Sequence, residues 1–338
     1  MRPLSYSRVA DVATAIGTVT ADPESTFLAG GTNEVDLQRV YVARSRRLVD
    51  INDLPLRQVD ELPGGGVRIG AVARMSDVAQ ALPVRRRFPM IAQALLSGAS
   101  PQLRNMASIG GNLLQRTRCG YFRDVAAACN KREPGTGCAA LVGVNRGHAV
   151  LGTSPHCIAT HPSDLAVALV ALDAVVHTQG PRGHGQLLAD DFFLLPGDSP
   201  DREHAIAHGE LVVAVEVPPL PMASTSIYLK VRERESYEFA LASAAVAVSL
   251  DAGVITDVRL ALGGVATKPW RARRAESVLV GAPATVETFR AAADAELAGA
   301  VPHGMNEYKI ELARRTVVRA LRGVTGAARM VGEDGNPP

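Results

Sequence analysis

Four cysteines and two glycine loops are the residues of this chain whose types and spacing suit chemistry. Cys119, Cys129, Cys138 and Cys157 fall within 39 consecutive residues, spaced C-x9-C-x8-C-x18-C, and the other 299 residues contain none. A disulfide framework is out of place in a long chain with ample apolar sequence and an N-terminus, Met1 to Ser5, that lacks the features of a signal peptide. The spacing is neither the tight paired knuckles of a zinc ribbon nor the compact run of a bacterial ferredoxin. It suits a cluster held by loops whose shape the surrounding domain sets. Arg116, Arg118, Arg123, Lys131 and Arg132 surround the first two cysteines, with only Asp124 and Glu133 opposing them nearby in sequence. Cations lower a thiol pKa and stabilise a negative cluster. The residues alone leave three readings open: an iron–sulfur cluster, structural zinc, and unligated or redox-active thiols.

The first glycine loop is Leu28-Ala29-Gly30-Gly31-Thr32-Asn33-Glu34 and the second runs from Ser100 through Ser108-Ile109-Gly110-Gly111-Asn112. Paired glycines after a strand let successive N–H groups converge on an anion with no Cβ in the way. Each loop alone is also an ordinary turn composition. Two in one chain suggest a diphosphate gripped from both sides. Neither matches G-x-G-x-x-G or the P-loop pattern, so a Rossmann fold and a nucleotide triphosphatase are disfavoured.

The elements that must position these residues follow from periodicity. Val9, Val12, Ala13 and Ile16 share a helical face with Ser7 as a candidate cap, and strands are expected at Thr26 to Ala29, Leu48 to Ile51 and Val67 to Gly70. Helices are expected near 76–82 and 89–98, a polar cysteine-bearing segment over 113–160, and an apolar helix or helix–strand transition from Asp164 to Asp173. A strand from Leu211 to Val217 ends at Pro218 and Pro219, a plausible boundary. Beyond it, two apolar runs around Asp251-Ala252-Gly253 signal a hairpin, and helical patterns follow at 270–280, 284–299 and 306–323, with Gly323 as the expected C-cap. Residues 326–338 read as a loose tail.

At 338 residues the chain exceeds one ordinary core, and its net charge of +2 gives no global argument for nucleic acid. No apolar stretch is long enough for a membrane span. The runs Arg44 to Arg47 and Arg85 to Arg87 are most simply solvated faces, with partner docking as the minority reading.

The order A-G-G-T-N near residue 30, I-G-A at 69–71, S-P-Q-L-R-N-M-A-S-I-G-G-N at 100–112 and S-D-L-A-x-A-L-x-A-L-D-A at 163–174 resembles the FAD-binding subunit of the xanthine dehydrogenase family of molybdenum hydroxylases. The stretch from Tyr228 to Arg234, with Tyr237-Glu-Phe-Ala, resembles its C-terminal domain. Most members pass directly from the second loop to the S-D-L motif, whereas roughly forty residues holding all four cysteines stand between them here. That departure is similar to the medium subunit of bacterial periplasmic-type aldehyde oxidoreductase, whose insert binds a 4Fe-4S cluster. Hydroxybenzoyl-CoA reductase carries a comparable insert.

The resemblance implies an α+β fold. A two-subdomain FAD-binding fold of the p-cresol methylhydroxylase (vanillyl-alcohol oxidase) type would occupy 1–55 and 56–220, with the cysteine insert at about 113–160. A C-terminal domain of antiparallel sheet and helices would occupy 221–325. It implies that Ala29, Gly30, Gly31, Thr32, Asn33, Glu34, Val35, Ser108, Gly111 and Asn112 hold the FAD diphosphate and ribityl region. It further implies Asp164 near the adenosine ribose, Lys230 near the flavin ring, Leu211 or Val212 beside the adenine, and Thr160 and His161 against the flavin. The plainer readings are a helix N-cap for Asp164 and a surface lysine for Lys230. All four cysteines would ligate the 4Fe-4S cluster. The expected partners are a molybdopterin large subunit, a 2Fe-2S small subunit and an external electron acceptor, with no substrate chemistry in this chain. The compartment would be the cytoplasm, or the periplasm by co-export with a signal-bearing partner. Rivals of other kinds are a zinc-stabilised nucleotide-binding regulatory module and a self-contained flavin oxidase.

Overall fold

Parallel strands need a crossover, and the chain supplies one at once. In the computed structural model, which describes residues 3–326, strands β1 (Ser5–Arg8), β2 (Ser25–Leu28) and β3 (Arg47–Asp50) form an all-parallel sheet in the order β1-β3-β2. The crossover helix Val12–Thr20 buries Ala15, Ile16 and Val19. Its cap is Asp11, whose carboxylate accepts from the Thr14 N–H at 2.8 Å, and Ser7 instead belongs to β1. The short, mostly exposed β1 lies at the sheet edge, which is why it carries no apolar alternation. The tail expected over 326–338 lies, Gly326 apart, outside the described residues.

The second sheet is antiparallel, in the order β4-β5-β8-β6-β7, built from β4 (Val59–Glu61), β5 (Val67–Gly70), β6 (Val175–Gly180), β7 (Gly183–Leu188) and β8 (Leu211–Val217). The hairpin of β6 and β7 was not among the expected elements, because its Gln, His, Thr and Gly residues carry little strand signal. This sheet packs on the helices Pro89–Ser97 and Asp164–Ala171, and every residue of the latter is buried. Ser163 caps that helix by accepting from the Ala166 N–H at 3.0 Å, so Asp164 is free for other contacts.

The third sheet, β12-β11-β10-β9, holds the expected hairpin. Strands β10 (Ala242–Asp251) and β11 (Val254–Gly263) meet at Ala252 and Gly253, both at positive φ as a tight hairpin turn requires. Strands β9 (Ile227–Val231) and β12 (Trp270–Arg271) flank them, and the helices Val286–Leu297 and Tyr308–Thr325 pack against this unit's core. The last helix ends on Gly326 at φ +70°, one turn beyond the expected Gly323. Among the described residues, no helix is long and apolar enough to cross a membrane.

Between Leu113 and Asp164 the chain has only short helical turns and isolated bridges. Such a segment needs its backbone carbonyls satisfied from outside. Lys309, wholly buried in the last helix, donates to the carbonyls of Gly147 at 3.0 Å, His148 at 3.1 Å and Gly264 at 2.5 Å. Asn306 adds a bond to the Ala149 carbonyl at 2.9 Å. On the opposite side, Phe122 and Cys129 pack with Leu37 of the N-terminal unit. Lys309→Met removes three donors at once and leaves buried carbonyls unpaired, at about 1–3 kcal/mol for each unsatisfied group. The expected outcome is a lowered denaturant midpoint and early proteolysis within 140–160; an unchanged midpoint and cleavage pattern would show that the lysine carries no such role.

Candidate functional site

The first glycine loop leaves β2 and turns at Gly31, whose φ is +70°. At Gly30 the constraint is space: a Cβ there would stand 2.1 Å from the carbonyl oxygen of Met106, in the second loop. A short polar chain holds the two loops together. Asn52 donates to the Ala29 carbonyl at 2.9 Å, and Arg74 donates both to Asn52 Oδ1 at 2.7 Å and to the Met106 carbonyl. Between the loops lies a cleft lined by residues 26–34, Ser108, Gly110, Gly111, Leu114, Arg116 and Glu210 to Val212.

The loops do not contribute alike. Among the described residues, the N–H groups of Gly30, Gly31, Thr32 and Asn33 meet no backbone acceptor, so they remain available to an anion. Asn33 adds a buried side-chain amide nitrogen with no partner, while its Oδ1 accepts from the Arg116 N–H at 2.9 Å. The second loop spends its amides internally. Ile109 donates to the Ala73 carbonyl, Gly110 to that of Ala71, Gly111 to Ser108 Oγ and Asn112 to the Ser108 carbonyl. It supplies a small wall and the Ser108 hydroxyl, not a second cradle of amides.

Of the expected contacts, Ala29 to Glu34, Ser108, Gly111 and Val212 line the cleft. Val35 does not; it sits on the helix Glu34–Arg39 and is partly exposed. Asn112 accepts from Ser163 Oγ at 2.5 Å, tying the second loop to the start of the buried helix. Thr160, His161 and Asp164 line a separate, smaller pocket with Arg118 and Phe239. Asp164 and Lys230, expected at opposite ends of a flavin nucleotide, form one buried pair: the carboxylate accepts from Lys230 Nζ at 2.8 Å and from the Tyr228 hydroxyl at 2.6 Å. Lys230 is therefore not a surface lysine either. Burial pushes His161 down to about 3, so its ring is neutral. Arg116 and Glu210 were missed as cleft residues; Arg116 had been read only as part of the charge around the cysteines.

All four cysteines line one small cavity, together with Lys131 and His156, and none is in a disulfide. Cys129 and Cys138 face each other across an antiparallel bridge, and His148 Nε2 lies 3.2 Å from Cys119 Sγ. The expected effect of the basic residues on the thiols is corrected here. Burial dominates, pushing Cys119 up to about 11 and Cys157 upward. Two of the cations are engaged elsewhere: Arg123 forks onto Asp36 at 2.6 and 3.0 Å, and Arg132 donates to the carbonyls of Tyr121, Phe122 and Ala127. Among the described residues, no three His, Cys, Asp or Glu side chains stand as a group that would hold a single metal ion.

Residues 2–220 match the family model of the FAD-binding domain in molybdopterin dehydrogenase, and residues 227–324 match that of the CO dehydrogenase flavoprotein C-terminal domain. Over 323 residues the chain is 46% identical to the aldehyde oxidoreductase FAD-binding subunit PaoB of Escherichia coli (strain K12), covering 95% of this chain and 98% of that one. It is 25% identical to the putative xanthine dehydrogenase FAD-binding subunit XdhB of the same organism, over 96% of this chain and 97% of the relative. A solved carbon monoxide dehydrogenase from Hydrogenophaga pseudoflava, lacking the Mo-pyranopterin moiety of its cofactor, superposes with a TM-score of 0.75 at 27% identity, covering 96% of this chain and 98% of that one.

The cleft geometry separates the glycines by consequence. An alanine at Gly30 must push the two loops apart, whereas one at Gly111 meets only the Ser108 hydroxyl, at 2.9 Å. Losing even one charge-assisted bond to a diphosphate, about 1.5–3 kcal/mol, lowers affinity roughly tenfold or more. Gly30→Ala is expected to weaken FAD binding by at least that factor in a fluorescence titration, and Gly111→Ala by less. Equal affinities for the two variants would refute the close-approach argument.

Proposed function

Because the chain belongs to the molybdopterin dehydrogenase FAD-binding family, we propose that it is the FAD-carrying electron-transfer subunit of a molybdenum-dependent aldehyde oxidoreductase. In this reading it works with a molybdopterin large subunit and a 2Fe-2S small subunit, and passes electrons to an external acceptor. The observation that carries it is the cleft, where four free amides and an unpartnered Asn33 amide face a space that Gly30 keeps narrow. That donor set fits the diphosphate of a flavin dinucleotide. The two sheets that supply the cleft would be the subdomains 1–55 and 56–220 of a p-cresol methylhydroxylase-type fold, with 221–325 as the C-terminal domain. FAD can take up electrons one at a time and give them up singly or as a pair, which would join one-electron iron–sulfur carriers to either kind of acceptor. The aldehyde reading is preferred to a xanthine dehydrogenase-like one because the relative named for aldehyde oxidation is 46% identical and the one named for xanthine 25%. The family is one of oxidoreductase subunits, which displaces the regulatory-module alternative.

We further propose that the four cysteines hold a 4Fe-4S cluster. The support is a single cavity with four free thiols and no carboxylate in its lining. An all-sulfur donor set suits iron–sulfur clusters and zinc, and a cluster spans a wider ligand set than one ion does. The thiols raised by burial would give up their protons on metal binding, as metal ligation requires.

Cys129→Ser is expected to strip or convert the cluster while FAD stays bound, read by iron and flavin analysis of the purified chain. Stoichiometric zinc with no iron in the unaltered chain would end the cluster reading. The relay role has its own measurement. Adding an aldehyde to the isolated chain leaves the flavin absorbance at about 450 nm unchanged, and bleaching appears only when the molybdenum and 2Fe-2S partners are supplied. Rapid bleaching without them would make the chain a complete oxidase.

A further inference from the structure

Between the cleft and the cysteine cavity lies a charge cluster, buried at Lys131 and Glu203 and partly exposed at Arg116, that neither site by itself accounts for. Arg116 lines the cleft, and Lys131, its side chain 8% exposed, lines the cysteine cavity. Both cations turn to one carboxylate. The Arg116 guanidinium contacts Glu203 Oε2, and Lys131 Nζ lies 3.2 Å from Glu203 Oε1. Arg116 Nη2 also donates to the Lys131 carbonyl at 3.3 Å, and Lys131 Nζ to that of Pro200 at 2.9 Å. Against the cost of burial, Arg116 and Lys131 hold the Glu203 carboxyl below its ordinary range, so it stays ionised. Its neighbour His204 is pushed down to about 4 by burial and is neutral, its Nε2 against the Leu113 carbonyl at 3.1 Å.

We infer that Glu203 is a positioning residue shared by the two cofactor sites, fixing Arg116 at the nucleotide cleft and Lys131 at the cysteine cavity and so coupling their charges. The inference rests on the cluster reading above. A carboxylate that engages two cations through different oxygens cannot shift toward one without releasing the other. Removing it leaves two like charges facing each other where solvent screens poorly. Lys131 in turn stands beside the sulfurs, since it lines the same small cavity as all four cysteines.

The test is a redox titration of the full chain loaded with FAD and iron, reading flavin absorbance and the cluster's electron paramagnetic resonance separately. Glu203→Gln removes a negative charge near both groups, so both midpoint potentials move positive, and Glu203→Asp restores both. Either potential left unmoved in fully loaded Glu203→Gln overturns the inference. Should Glu203→Gln fail to load, the double variant with Lys131→Met restores the net charge and recovers flavin and iron content; a double variant as empty as the single one also overturns it. Iron analysis of the unaltered chain comes first. A chain that binds FAD and no iron removes the cluster reading and this inference with it, whereas unmoved potentials in loaded protein remove this inference alone.

Discussion

The approach of Gly30 to the Met106 carbonyl is the contact on which the rest of the arrangement depends. At 2.1 Å from a would-be Cβ, it brings the loop after β2 against the loop that precedes the helix Ile109–Leu113. Two separately cored units thereby share one cleft. Backbone cannot come this close unless its polar groups are answered, and the Asn52–Arg74 pair answers both sides. Arg74 is partly buried, and burial lowers its pKa from the ordinary arginine value, yet it remains a guanidinium at any physiological pH. The clamp is therefore a fixed charge that joins the two loops at any physiological pH.

The loops themselves were legible in the sequence, because two glycine pairs, each beside a small hydroxyl residue and an asparagine, stand in one chain. What each loop does was not. Gly30-Gly31 and Gly110-Gly111 look equivalent as strings, but the second pair sits inside a short helix whose N–H groups find acceptors in Ala71, Ala73 and Ser108. Which amides remain free depends on strand neighbours remote in sequence. The same holds for charge. Arg116, Arg123 and Lys131 read as a basic field around the cysteines, since only Asp124 and Glu133 stand near them in the chain. Their actual partners are Asp36 and Glu203, which the fold brings in from far along the chain. Asp164 and Lys230 were assigned different ends of a ligand for the same reason: a pair 66 residues apart leaves no local mark.

The cores were easier. Apolar periodicity located the buried helix at Asp164, the hairpin of β10 and β11 and the three C-terminal helices, because burial repeats along an element and is visible residue by residue. Strands β1 and β7 escaped because they lie at sheet edges, where polar residues replace the alternation, and β6, paired on both sides, escaped because its His, Gln and Gly residues carry little strand signal.

These two classes of feature meet between the cleft and the cysteine cavity. His204, beside Glu203 in sequence, stacks with Phe192 and Phe193, and Phe193 in turn with His161, and burial keeps both imidazoles neutral. The buried carboxylate Glu203 engages Arg116 and Lys131, and Arg118 nearby, which burial lowers to about 10, still carries its proton at neutral pH. At Glu203 two cations share one carboxylate, which leaves a local positive excess. Such an excess costs free energy in the protein alone, because each cation has lost solvent. It is offset when negative charge arrives nearby, whether a diphosphate in the cleft or added electrons on a sulfur-ligated group. The desolvation cost of these cations and the attraction for anionic or reduced partners are then one electrostatic term seen from two sides.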